Sequence, residues 1–296
     1  MAFTLFDMHI GAHEKCGTIN YGITSASSGT TSIEDRTESS AHADDQFRNG
    51  ILYFLQSATT TIEGQFRRIT AYDASSGQFS WTTALASSAP AGTVYGVATP
   101  EFNFTLMSQL SQAALRTLGP LVYVDRSMQS SANQKVYAMS TVIGRSRPFR
   151  IDLQGRTGSS VDDPGWIELY GWYIQPSAAG TAASIVFPRY LPSGRDVRMF
   201  YEADHTTVVA STALIDVRIH PELAILALTE KMYEYRNSRS RGAQEFDVQR
   251  WNDAKRQLAE ARVRWPISRP KRKPDINVIG GEDMGGSFTP PWGGIE

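Results

Sequence analysis

The chain has one cysteine, Cys16, among its 296 residues. No disulfide can close within it, and folding in a reducing compartment is the expectation. No apolar run reaches the roughly 18–20 residues that a membrane-spanning helix needs. The start, Met1-Ala2-Phe3-Thr4-Leu5-Phe6-Asp7, lacks the basic opening and apolar core of a secretory signal. Catalytic signatures are missing too. There is no Gly-x-Ser-x-Gly elbow, no Walker-type phosphate loop, no His-Glu-x-x-His and no Gly-x-Gly leading into a helix. No enzymatic activity and no cofactor are therefore expected. Neither sign of charge is in excess: 29 Lys and Arg stand against 30 Asp and Glu, a net of −1. That balance argues against a protein that coats nucleic acid with its whole surface, and leaves room for a local contact.

What is present is ordinary in amount and uneven in placement. An apolar content of 41% and a charged content of 20% suit a globular chain long enough for two or three compact units. The charge is segregated. From Lys231 to Lys273 there are 13 Lys and Arg against 5 Asp and Glu, a local net of +8, which leaves −9 for the rest. Such a split suggests basic and acidic surfaces that face different partners.

Residues 1–20 read as a polar N-terminal arm. His9, His13 and Cys16 in the spacing H-x3-H-x2-C would put two histidines on one helix face, but a structural zinc wants four ligands and no second thiol exists, so no metal is expected. Residues 21–100 read as a small antiparallel, barrel-like β domain. Its first part is rich in Ser, Thr, Gly and Asp, the chemistry of loops and edge strands. Ile51–Leu55, Gln65–Tyr72, Gln78–Thr82 and Thr93–Val97 are then short strands separated by Asp73-Ala74-Ser75-Ser76-Gly77 and Ala89-Pro90-Ala91-Gly92 turns. A helix occupies residues 101–119, with Asn103 or Thr105 as N-cap, Leu106, Leu110, Ala113, Ala114 and Leu118 on one side, and Gly119-Pro120 as its stop.

Residues 120–212 read as a β-sandwich, with strands at Arg150–Leu153, Trp166–Ile174, Ser184–Tyr190 and Asp196–Ala203. Val197, Met199, Tyr201 and Ala203 alternate with polar neighbours, the half-buried pattern. Trp166, Tyr170 and Trp172 share one parity of their strand, as a sugar-binding platform would require. Ile167, Leu169 and Tyr173 fill the other parity, which predicts a strand buried on both faces instead. Asp162-Asp163 before Pro164-Gly165 is turn chemistry ahead of calcium chemistry, and Asp204-His205 has no nucleophile beside it.

Residues 213–266 form a basic helical pair, and residues 267–296 an extended tail. The first helix opens at Pro221. Leu223 to Leu228 is apolar nearly all round, so it should be covered on several sides. The Asn237–Gly242 stretch is a hinge, and Trp251, Ala254, Leu258, Ala261 and Trp265 make one stripe on the second helix. The fold class expected is α+β.

The order of an apolar "gILYFLqs" strand, a "GQFRRITAYDASSGQFSWTTAL" hairpin and "APAGTVYGV", then "FTLMSQLSQAALRTLGPLVYVDRSM" leading into a strand at Lys135–Met139, resembles the head–tail connectors (adaptors) and neck proteins of tailed bacteriophages. The resemblance runs through segment order and local pattern over about residues 20–270, without a signature motif. It implies a virion protein made in the host bacterial cytoplasm and placed at the head–tail interface as a homo-oligomeric, dodecameric ring. Portal would lie on one side, tail or neck proteins on the other, and double-stranded DNA would pass non-specifically through the lumen, with no membrane contact. On this chain the portal-docking extension would carry Arg269, Lys271, Arg272 and Lys273 as ionic contacts and Phe288, Trp292 and Ile295 as apolar anchors. Leu223, Ile225, Leu226 and Leu228, with Trp251 and Leu258, would pack between neighbouring copies. A lumen through which DNA slides should avoid tight phosphate contacts, so the acidic remainder suits it better than the basic segment. Many connectors are helical bundles alone, and the two β units depart from that pattern. A tail-tube or decoration protein, or a carbohydrate-binding module, stays open on the sequence.

Overall fold

A computed structural model describes residues 2–26, 28–38, 42–140, 143, 147–155, 165–176, 183–239 and 245–267, with Glu245 and Phe246 by backbone alone. The chain is α+β, with four antiparallel sheets and a helical pair near its C-terminal end. It divides into two compact units. The first joins Met1–Leu121 to Asp204–Ser268, and the second is built from Val122–Ala203. The N-terminal segment, the small β domain, the following helix and the helical pair thus share one unit.

The first unit begins with α1, Leu5–Cys16, and here the polar-arm reading is overturned. Thr4 and Asp7 form a capping box: the Asp7 amide donates to Thr4 Oγ1 at 3.3 Å and the Thr4 amide to Asp7 Oδ2 at 2.9 Å. Gly17, at φ 63°, ends the helix in the left-handed conformation that glycine adopts without strain. Leu5, Phe6, Met8, His9, Ala12, His13 and Cys16 are all buried. Two histidines within the stripe blur its apolar periodicity, which is why the helix reads as polar in sequence.

Strands β1 (Ile19–Ile23), β2 (Ser32–Glu34), β3 (Ile51–Gln56), β4 (Phe66–Arg68), β5 (Ala71–Asp73), β6 (Gln78–Ser80) and β7 (Val94–Ala98) form two sheets, ordered β1-β7-β3-β4 and β2-β6-β5. The Ser/Thr-rich part supplies β1 and β2, and each lies at a sheet edge, as its composition suggests. Neither sheet closes, so the barrel expectation is corrected to an open pair of sheets. Their shared core holds Ile33, Leu52, Phe54, Phe79, Trp81, Tyr95 and Val97. Leu52 and Phe54 serve that core, while Tyr53 turns the other way and meets the rings of Phe6, His9, His13 and Phe66. With both faces covered, β3 reads as a continuous apolar run.

Helix α2, Phe104–Thr117, is capped by Asn103, whose Oδ1 accepts the Leu106 amide at 2.9 Å. Its buried stripe is Met107, Ser111, Ala114 and Leu115 with Leu118, one position on from the expected Leu106, Leu110 and Ala113. The shift has a polar cause: Ser111 Oγ lies 2.8 Å from His9 Nε2. Helices α3 (Pro221–Arg239) and α4 (Glu245–Arg264) complete the unit. α3 packs against α1, α2 and α4, so it is covered on several sides as predicted. It also runs through Asn237 and Ser238 to Arg239, which shortens the expected hinge.

The second unit contains β8 (Leu121–Gln129), β9 (Val136–Ala138), β10 (Pro148–Gln154), β11 (Trp166–Glu168), β12 (Tyr173–Gln175), β13 (Ser184–Val186) and β14 (Asp196–Ala203). They make a sandwich-like pair of sheets, β11-β10-β14-β8 and β12-β13-β9. Ile151, Leu153, Val197, Met199 and Tyr201 from one sheet meet Tyr137 and Ile185 from the other. The single strand expected over Trp166–Ile174 is two strands in different sheets, separated by Gly171 at φ 73°. Burial on both faces is corrected as well. Ile167 is 55% exposed and Tyr173 58%, although Trp172 packs on the core and donates its Nε1 hydrogen to the Leu169 carbonyl at 3.1 Å.

Candidate assembly surface

The helical pair that the sequence singles out places its predicted residues in two groups. Leu223, Leu226 and Leu228 are fully buried, at 1%, 3% and 0% exposure, and Leu258 is buried at 6%. Ile225 sits against Gly11 of α1, and Trp251 is half-buried with its Nε1 hydrogen donated to Glu230 Oε1 at 3.2 Å. These side chains are covered by their own chain, so their apolar character is already used in folding. The expected ring-contact role for Leu223, Leu226, Leu228 and Leu258 is therefore replaced by a core role. Trp251, Ala254, Leu258, Ala261 and Trp265 do form the predicted stripe, three of them buried and the two tryptophans half-buried. Trp265 stacks flat on His220 at 4.0 Å, which ties the end of α4 to the start of α3.

The rest of the α4 surface carries the charge, with Arg256 and Val263 opposite the stripe and Arg250 and Arg262 at its flanks. Arg250, Lys255, Arg256, Arg262 and Arg264 are all exposed, and Val263 between them is 82% exposed. Asp253 partners Arg256 at 3.0 Å and Arg262 donates to the Thr117 carbonyl at 2.9 Å. Lys255 Nζ stands 3.3 Å over the Trp251 ring, which fixes an otherwise mobile side chain along the helix. Arg269, Lys271, Arg272, Lys273, Phe288, Trp292 and Ile295 lie outside the described residues, as do Asp162 and Asp163.

A second surface, which the sequence reading gave only as an acidic remainder, is formed at the β2-β6-β5 sheet. The register pairs Glu34 with Gln78 and Gln78 with Asp73, so both carboxylates stand in one cross-strand row. Ile33, Tyr72 and Phe79, one residue along on each strand, point into the core, and the row therefore faces outward. Asp44 adds a third charge beside it through Oδ1, which accepts the Ala74 amide at 2.8 Å. Asp35 is fully buried and accepts from the Tyr95 hydroxyl at 2.8 Å, the Thr37 hydroxyl at 2.6 Å and the Thr37 amide at 2.9 Å. Burial raises the Tyr72 phenol above its ordinary range, and Glu38, Asp35, Asp44 and Asp73 push it in the same direction. Next to this end lies a small opening of about 80 Å³ lined by Tyr21, Phe47, Phe79, Tyr95, Glu38 and His42 among others. The alternation of Ile33, Tyr72 and Phe79 with polar neighbours marks which side chains point out. Nothing in the sequence marks that the two strands share a sheet.

The H-x3-H-x2-C residues serve packing. His9 lies 2.8 Å from Ser111 Oγ and 3.2 Å from the Tyr53 hydroxyl, and His13 Nδ1 lies 2.7 Å from Thr18 Oγ1. Burial holds both imidazoles neutral, each brought down to about 3, and the neighbouring His13 adds to the effect on His9. Burial likewise pushes the Cys16 thiol up to about 12. Among the described residues no group of three or more His, Cys, Asp or Glu is arranged to hold a metal ion. His205 is engaged by the backbone, its Nε2 accepting the Asp216 amide at 2.9 Å. No helix among the described residues is long and apolar enough to cross a membrane. Comparison with protein-family models, with curated proteins and with solved structures finds no match.

Proposed function

We propose that this chain is a virion structural protein, a ring-forming connector between the portal and the tail of a tailed phage. The observation that carries the reading is α4. One stripe of it is used up in folding, and the remaining surface carries five exposed cations and an exposed valine. The chain then continues through Arg269, Lys271, Arg272 and Lys273 into a segment rich in Gly and Pro that includes Phe288, Trp292 and Ile295. A rigid basic helix followed by an extension with spaced aromatic and Arg anchors is the equipment of a docking protein. In this reading the extension engages the portal, and DNA passes through the ring without specific contact. The two β units are additions to a helical connector core.

The test is native mass spectrometry of the full chain, alone and with a candidate portal, beside a chain ending at Pro266. A closed ring on the portal with the full chain and none with the shortened one supports both the connector and the extension. A monomer that ignores the portal removes the connector.

A carbohydrate-binding role is the second reading, and one observation favours it. Tyr170, Tyr173 and Tyr190 are 60%, 58% and 60% exposed in the sandwich unit, and exposed rings can stack on sugars. A rise in melting temperature with an oligosaccharide, lost in Tyr173→Ala, would support it.

A further inference from the structure

We infer that copies of this chain join head to tail through the outer face of α4 on one copy and the Glu34–Asp73 face of the next. This rests on the ring reading above and names the two surfaces that would close the ring. The argument begins with the order of layers in the first unit. α4 packs on α3, and α3 packs on α1 and α2. α1 meets β3 through the Tyr53 ring, and the other side of β3 shares its core with the β2-β6-β5 sheet. The stack therefore ends in α4 on one side and in the outward face of that sheet on the other.

The two ends carry opposite charge. Away from its buried stripe α4 presents Lys255, Arg256 and Arg264 with Asp253 and Glu260 among them, and Arg250 and Arg262 add charge at the flanks of the stripe. Among the described residues the sheet end presents Asp44 and Asp73 as its exposed unpaired carboxylates, beside Glu34 paired with Arg36 at 2.7 Å, Asp45 paired with Arg48 at 3.3 Å and Glu38 bonded to His42 at 2.8 Å. A unit basic at one end and acidic at the other repels its own kind head to head and attracts it head to tail. That is the heterologous contact from which closed rings are generated. The geometry supplies more than charge. Val263 adds an apolar centre to the α4 face at 82% exposure. The occupant is a second copy of this chain, because the matching charge is found on the chain itself.

The experiment uses the full chain with exposed positions reversed at one end or the other: Lys255→Glu with Arg256→Glu, and Asp44→Lys with Asp73→Lys. Assembly is followed by sedimentation velocity over a concentration series, and circular dichroism checks that each variant is folded. Asp73→Lys alone and Arg264→Glu replace any pair that is not. Either reversal alone should raise the half-assembly concentration by about tenfold or more, the size expected for like charges brought together at an interface. Mixing the two variants should restore assembly, since one is now basic at both ends and the other acidic at both. Wild-type assembly should also weaken with added salt. Folded variants that assemble like the wild type, or that fail alone and stay apart when mixed, overturn this pairing and leave the ring reading intact. A wild-type chain that is monomeric both alone and on a portal overturns both.

Discussion

Gly11 of α1 lies so close to Ile225 of α3 that a methyl group on it would stand 2.7 Å from Ile225 Cδ1. The two helices meet there because residue 11 has no side chain. Replacing Gly11 with Leu should cost about 1–3 kcal/mol, the usual penalty for overpacking. Ile225→Ala in the same chain should return part of it. A double-mutant cycle from urea unfolding checks this, and strict additivity would show that the two residues do not touch.

Leu226 is 3% exposed in the folded chain. Leu226→Ala should destabilise the isolated protein by about 2–5 kcal/mol, as large-to-small core changes do. Arg256→Glu, on the exposed side of α4, should leave the melting temperature within about 2 °C of wild type, since surface changes rarely exceed about 0.5 kcal/mol. Thermal unfolding of dilute protein separates the two cases. An unchanged melting temperature for Leu226→Ala would return that residue to the surface.

Acid should weaken the first unit through its two buried histidines. Their imidazoles are held at about 3 in the folded chain against an ordinary 6.5. The folded-state values are depressed, so the unfolded chain binds the extra protons. Stability is then complete above pH 6.5 and falls as pH drops towards 3. Each histidine contributes a slope of about 1.4 kcal/mol per pH unit in that window. Urea midpoints between pH 4 and 7, compared with those of His9→Gln/His13→Gln, isolate the term. The variant should be less stable at neutral pH but distinctly flatter, and parallel curves would remove the histidines from the account.

In the second unit, Asp152 is fully buried and holds two guanidinium groups. Arg150 Nε donates to its Oδ1 at 2.8 Å and Arg198 Nε to its Oδ2 at 2.9 Å. Arg198 also lies over the Trp166 ring at 4.0 Å. Asp152→Ala would strand Arg198, and breaking such a buried pair costs about 3–5 kcal/mol, less here because Arg150 still reaches water. Replacing Asp152 and Arg198 together with apolar residues should cost less than Asp152→Ala alone. Chemical denaturation of both variants tests the ranking.

The residues explain which parts of this fold can be read from sequence. β3 and β14 are legible because burial on two faces or on one leaves a run or an alternation, in Ile51–Leu55 and in Val197, Met199 and Tyr201. α4 is legible through its three- and four-residue steps. α1 is not, because the polar His9 and His13 stand at buried positions, His9 accommodated by Tyr53 and Ser111 from distant segments and His13 by Thr18 just past the helix end. The α2 stripe is misread by one position for the same reason, since a serine was chosen for a histidine a hundred residues away. The basic half of the candidate surface is written contiguously along α4. The acidic half joins Glu34 of β2 and Asp73 of β5 across β6, with Asp44 beside them, and only pairing brings it together.

The sandwich unit is inserted into the chain of the other. α1 precedes the insert, yet the helix that covers it, α3, begins only at Pro221. On the ribosome α1 and its two buried histidines would wait, with one side uncovered, until the whole insert and then α3 had been made. The inserted unit, whose strands all fall between Leu121 and Ala203, has its own residues in hand much earlier. Order of synthesis and order of completion are thus reversed: the unit begun before the insert is completed after it, when the basic helix arrives.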